Sequence, residues 1–142
     1  MRVQNQNCMK KYLSTRYSDG SWSFGLLVLR LVSGGLMITH GYDKLSHYAN
    51  YKGMNALLGS PIDIILVIFA EFFCAALLIL GLFTRFAAIP LIVTMAVAFF
   101  KAHNGNISGQ NSGETALLYL GVFITLLFTG PGKFSADAAI SK

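Results

Sequence analysis

Charge is the scarcest property of this sequence: only 12% of its 142 residues are Asp, Glu, Lys or Arg, against about 25% in an ordinary soluble domain. That shortage, together with 54% hydrophobic residues and a mean hydropathy of +0.58, argues against a soluble globular domain and points to a membrane protein. Cysteine is nearly absent too. Cys8 and Cys74 form no CxxC and no plausible pair, so no disulfide is assigned and no redox compartment inferred. No compact HxxxH stands in for it, which leaves little basis for a tightly held metal. The net charge of +5 comes without a basic patch interleaved with aromatics, which argues against nucleic acid and leaves phospholipid headgroups as the counter-ions. Residues 1–23 are polar and basic and lack an apolar h-region, so they read as a cytosolic tail rather than as a signal peptide or a lipoprotein leader ahead of Cys8.

What the sequence has is apolar length. Ile62 to Phe83 is apolar except for Asp63 at its mouth and Glu71 near its middle. About 20 apolar residues at ~1.5 Å each match the ~30 Å hydrocarbon layer, so this run reads as a transmembrane helix. An ionised carboxylate near the bilayer centre costs roughly 2.5–3.5 kcal/mol on insertion scales, so Glu71 must face other helices, find a partner or stay protonated. Its neighbours are legible. Apolar runs at about 24–42, 86–103 and 114–129 give three more helices, and with short loops the four nearly use up the length. The expected fold is therefore all-α: a four-helix transmembrane bundle over residues 24–132, followed by a short cytosolic tail, 133–142. In the first outer loop Leu45, Tyr48, Tyr51, Met54 and Leu58 recur every three or four residues, as a short interfacial helix requires.

Orientation follows from the basic residues. Arg2, Lys10, Lys11, Arg16, Arg85, Lys133 and Lys142 fall on the side that holds both termini and the second loop; Lys44, Lys52 and Lys101 fall on the other. The positive-inside rule then makes both termini cytoplasmic. A weak internal repeat, His40-Gly41 against His103-Asn104-Gly105 and Leu82-Phe83-Thr84 against Leu127-Phe128-Thr129, would make the two hairpins parallel repeats, the one feature in favour of a small transporter.

The polar residues within the spans sort by depth. Arg30 lies about 9 Å from the cytoplasmic end and Glu71 about 18 Å from it, and helical side chains lean toward their own N-terminus, so the two diverge. Arg30 is expected either to snorkel to phosphates or to stretch inward and pair with Glu71. At the outer ends of the helices His40, Asp43, Lys44, His47, Lys101, His103 and Glu114 crowd together, with Tyr119 one turn into helix four. This predicts a polar pocket open to the outer face with Glu71 as its floor. Three readings of the pocket stay open: a metal site using His40, His47 and His103; a quinone or proton site, with His and Lys binding a carbonyl oxygen and Glu71 and Glu114 moving protons; and a solvated rim around an internal salt bridge. Cys74, among Phe72, Phe73 and Ala75, reads as a small apolar filler.

The chain resembles the DoxX family over about residues 24–137. The resemblance rests on Leu29-Arg30-Leu31, His40-Gly41 with Lys44, Glu71, Gly81-Leu82-Phe83-Thr84-Arg85, His103, Gly113-Glu114 with Ala116-Leu117-Leu118-Tyr119, and Gly130-Pro131-Gly132-Lys133-Phe134-Ser135 with Asp137. It implies an inner-membrane four-helix bundle, and it implies function loosely: some members are subunits of a thiosulfate:quinone oxidoreductase, others are linked to oxidative-stress or thiol-redox complexes. The motif positions it carries over are Arg30, His40, Lys44, Glu71, Arg85, His103 and Glu114. The expectation is a subunit of a quinone-linked redox system without a tightly bound cofactor, quinone being the ligand to test. Its partners would be membrane lipids and a redox protein or further copies of itself. The alternative is a non-enzymatic anchor or scaffold.

Overall fold

The computed structural model describes residues 18–51, 62–108 and 112–140, and among them every regular element is a helix. In chain order these are α1 (Asp19–Ser46), α2 (Tyr48–Tyr51), α3 (Ile62–Leu80), α4 (Thr84–Ala102), α5 (Glu114–Thr129) and α6 (Ala136–Ile140). Three of them, α1, α3 and α4, are long and apolar enough to cross a membrane, and α5 is a shorter apolar helix of 16 residues. The result is an all-α membrane bundle.

The helices begin and end for local reasons. Ser18 caps α1 by accepting a hydrogen bond from the Ser21 amide at 3.2 Å, so the helix starts at Asp19, ahead of the expected residue 24. At its far end α1 runs through Gly41 to Ser46, and its 28 residues exceed what a ~30 Å layer needs. Gly81 adopts φ 68°, the left-handed conformation that stops a helix, so α3 ends at Leu80 instead of Phe83. α4 starts at Thr84, two residues early, because the Asp137 carboxylate accepts the Phe83 and Thr84 amides at 2.8 and 3.1 Å. That start leaves Pro90 inside the helix, beyond the first turn where its missing N–H would matter least. In the first loop a short helix covers Tyr48–Tyr51; Met54 and Leu58 lie outside the described residues, as do Cys8 and most of the basic tail.

Packing is set by small residues. A Cβ on Gly34 would sit 2.6 Å from Ile79, and one on Gly41 would sit 2.7 Å from the backbone nitrogen of Phe72, so α1 lies backbone-close to α3 along the face that also carries Met37. Ala75, Ala87 and Ala88 are fully or nearly buried between helices with Leu78, Leu91, Phe123 and Leu126, and Cys74 is one of these core residues. Other aromatics point outward: Phe24, Phe86 and Phe128 are 60%, 74% and 76% exposed, as suits side chains that meet lipid.

Candidate functional site

Two irregular turns shape the site. Residues Phe69–Cys74 of α3 and Ala98–Ala102 of α4 wind as π-helix, a wider turn that inserts an extra residue into an α-helix and swings neighbouring side chains round by a fraction of a turn. Glu71 lies in the first; Lys101 lies in the second, and His103 comes directly after it. No residue pattern announces either π turn, and both escape a reading at 3.6-residue periodicity.

Gly41 presses on the first of these turns. One turn further along α1, the Lys44 ammonium reaches back and donates to both Glu71 oxygens, at 2.6 and 2.5 Å. The Glu71 side chain is 3% exposed and that of Lys44 19%, so the pair sits under the mouth of the bundle with one shoulder open. This is the partner that a carboxylate in a bilayer requires, and it is neither Arg30 nor a group on α4. A bidentate ammonium–carboxylate contact away from bulk water offsets the cost of placing either charge there alone.

The pair borders a cavity of about 320 Å³ to which all four long helices contribute. His40 and Met37 line it from α1, Met95 and Ala98 from α4, and Thr115, Ala116 and Tyr119 from α5; His103 and Ser112 close it from the connecting loop. The His103 Nδ1–H donates to the Ala98 carbonyl at 2.8 Å, which orients the ring and leaves Nε2 outside that bond. Gly113 admits this arrangement, since a Cβ there would lie 2.7 Å from the Phe99 ring and 3.0 Å from the Cβ of His103. The Tyr119 ring stacks on Phe123 with centroids 5.9 Å apart, and its hydroxyl has no hydrogen-bond partner among the described residues.

Of the residues picked out from sequence, His40, Lys44, Glu71, His103 and Tyr119 thus meet in one cavity. Lys101 and Glu114 are exposed and do not line it. Asp43 and His47 form a rim contact at 3.2 Å, and Asp43 also accepts the Tyr51 hydroxyl at 2.9 Å, which holds that phenol above its usual range. His47 therefore does not join His40 and His103, and among the described residues no three His, Cys, Asp or Glu side chains converge as metal ligands.

Arg30 and Arg85 belong to the opposite end. Arg30 is wholly buried, so it neither snorkels to phosphates nor reaches Glu71. The segment after α5 folds back over it: the guanidinium Nη2 donates to the Phe134 carbonyl, while Asp137, whose amide donates to the Gly81 carbonyl at 2.9 Å, supplies the nearby negative charge. A Cβ on Gly81 would overlap the guanidinium. Arg85 is exposed beside Gly130. A larger recess of about 690 Å³ lies at this end too, but its ionisable residues, Asp19 and Lys133, form an exposed pair at 2.8 Å, and no buried charge faces it. The smaller cavity, with a buried carboxylate on its wall, is the better candidate.

Comparison with known proteins places these residues in a lineage. The sequence model of the DoxX family matches residues 25–104. An uncharacterized protein of Haemophilus influenzae is 38% identical over 123 residues, covering 82% of this chain and 91% of its own length. The inner membrane protein YqjF of Escherichia coli K12 is 31% identical over 121 residues (83% and 93%), and the inner membrane protein YphA of the same organism is 29% identical over 122 (79% and 87%). No solved structure matches significantly.

Proposed function

The chain belongs to the DoxX family, and from that premise we propose that it is an inner-membrane subunit of a quinone-linked redox system whose cavity takes a quinone headgroup. The observation that carries this reading is the buried Lys44–Glu71 pair on the wall of a cavity shared with His103, His40 and Tyr119. Reducing a quinone needs two electrons, which a redox partner protein supplies, and two protons delivered to its carbonyl oxygens. Lys44 is placed to donate a hydrogen bond to one such oxygen, and Glu71 to take up each of the two protons in turn from water at the open mouth and pass it to the ligand. His103 Nε2 accepts a proton from a hydroxyl in the reverse direction.

The test is binding of a short-chain benzoquinone to protein purified in mild detergent. Glu71→Gln and His103→Ala should each raise the dissociation constant at least about tenfold, roughly 1.4 kcal/mol, with a smaller proportional change in melting temperature. Equal losses in binding and stability would instead favour a second reading, a scaffold for a partner protein. One observation favours that alternative: Arg30, a family motif position, is spent on holding the chain's last segment rather than on the cavity. We also propose that both termini are cytoplasmic, on the excess of Lys and Arg at that end. Single cysteines added at Lys142 and at Asn106, in a background lacking Cys8 and Cys74, should be labelled by an impermeant maleimide in cells only at Asn106.

A further inference from the structure

Thr115 and Tyr119 line two cavities at once: the polar one described above and a second of about 240 Å³ between α1 and α5. The second is walled by Val32 and Leu36 on one side and Leu118 and Val122 on the other. Its one further polar side chain, Ser33, is already tied to the Leu29 carbonyl at 2.6 Å, so the groove offers nothing to a hydrated ligand. Val32, Leu36 and Leu118 are 57%, 50% and 66% exposed on membrane-crossing or apolar helices, so the groove opens sideways toward lipid. The Tyr119 hydroxyl, without a protein partner among the described residues, stands at the junction.

We infer that the cavity is loaded from within the bilayer through the α1–α5 groove, and that its ligand is an amphiphile whose head accepts a hydrogen bond from Lys44, beside Glu71, while a hydrocarbon tail lies along Val32, Leu36, Leu118 and Val122. This rests on the reading that the polar cavity binds a headgroup, and it adds the class of molecule and its entrance. A water-soluble ligand needs no such groove. A tail seated there makes contacts that a tailless analogue cannot, and Tyr119 is placed to hydrogen-bond the atom joining the two parts.

The experiment compares 2,3-dimethoxy-5-methyl-1,4-benzoquinone with its 6-decyl derivative on the full chain in one detergent, so that micelle partitioning cancels between variants. Leu36→Trp and Val122→Trp fill the groove, and Leu31→Trp, on a lipid-facing position outside both cavities, is the control. The groove variants should weaken the decyl compound about tenfold or more and the tailless one less than twofold, while Leu31→Trp changes neither. Unchanged decyl binding in the groove variants overturns the inference and leaves the groove to ordinary phospholipid chains or a second copy. Equal loss for both compounds also overturns it, since the groove would then act through the head site. Failure of the headgroup reading looks different: Glu71→Gln would leave both compounds bound as tightly as before.

Discussion

Replacing Lys44 with Met leaves the Glu71 carboxylate buried without its counter-charge, and removing one member of a buried pair typically costs about 3–5 kcal/mol. Lys44→Met should therefore lower the melting temperature sharply, and Lys44→Met combined with Glu71→Leu should recover most of that loss while quinone binding stays abolished. If the double variant binds normally, the pair is structural only. Gly81→Ala is a second test at this scale. The left-handed backbone alone costs a residue with a Cβ roughly 1–2 kcal/mol, and the added methyl must also displace Arg30, so the loss in thermal stability should exceed that figure. The sequence marked Glu71 as a side chain in need of a partner, since a carboxylate in an apolar run is costly wherever it sits. It did not carry their partners. Arg30 meets Phe134, 104 residues away, through a backbone carbonyl, and no side-chain pattern encodes a carbonyl acceptor.

Among the elements, α3 gives the sharpest expectation. Deleting Phe73, a lipid-facing residue of the Phe69–Cys74 turn, should let the segment close into plain α-helix with the flanking parts of α3 still in register, while side chains within the turn, Glu71 among them, swing round by a fraction of a turn. Helical content by circular dichroism should be unchanged, while Glu71 leaves Lys44 and headgroup binding is lost; retained binding would show that the π turn is not needed to aim the acid. α4 offers a gentler test. Asp137→Asn keeps one oxygen, enough for one of the amides of Phe83 and Thr84, whereas Asp137→Ala removes both acceptors at a cost of about 1 kcal/mol or more. The alanine variant should melt below the asparagine one, the difference measuring the acceptor that asparagine keeps and the asparagine loss measuring the other acceptor together with the charge beside Arg30. Helix existence was readable from apolar length, and the boundaries less so. Local signals, Ser18 among them, set some ends, but α4 is started by a residue more than fifty positions downstream.

For the whole molecule, a membrane bundle was plain from composition, whereas the packing of small residues between helices, with most bulky aromatics outside, is seen only in the structure. The outer crowd of ionisable groups was readable as a cluster because helix ends at one level must come together. Which members of the crowd face inward is not encoded in their spacing: Lys101 and Glu114 lie beside His103 in sequence or level but are exposed and do not line the cavity.

The contact between Arg30 and the segment after α5 bears on how the protein is made. Transmembrane segments emerge from the ribosome one after another, so the first helix enters the bilayer bearing a cation whose carbonyl acceptor has not yet been synthesised. Until the final stretch arrives, that helix is a poor resident of the membrane. A chain released early, at Thr129 for instance, would keep all four long helices and still present quality-control proteases with an unmatched arginine. The segment after α5 thereby supplies the first span with the acceptor its buried cation needs.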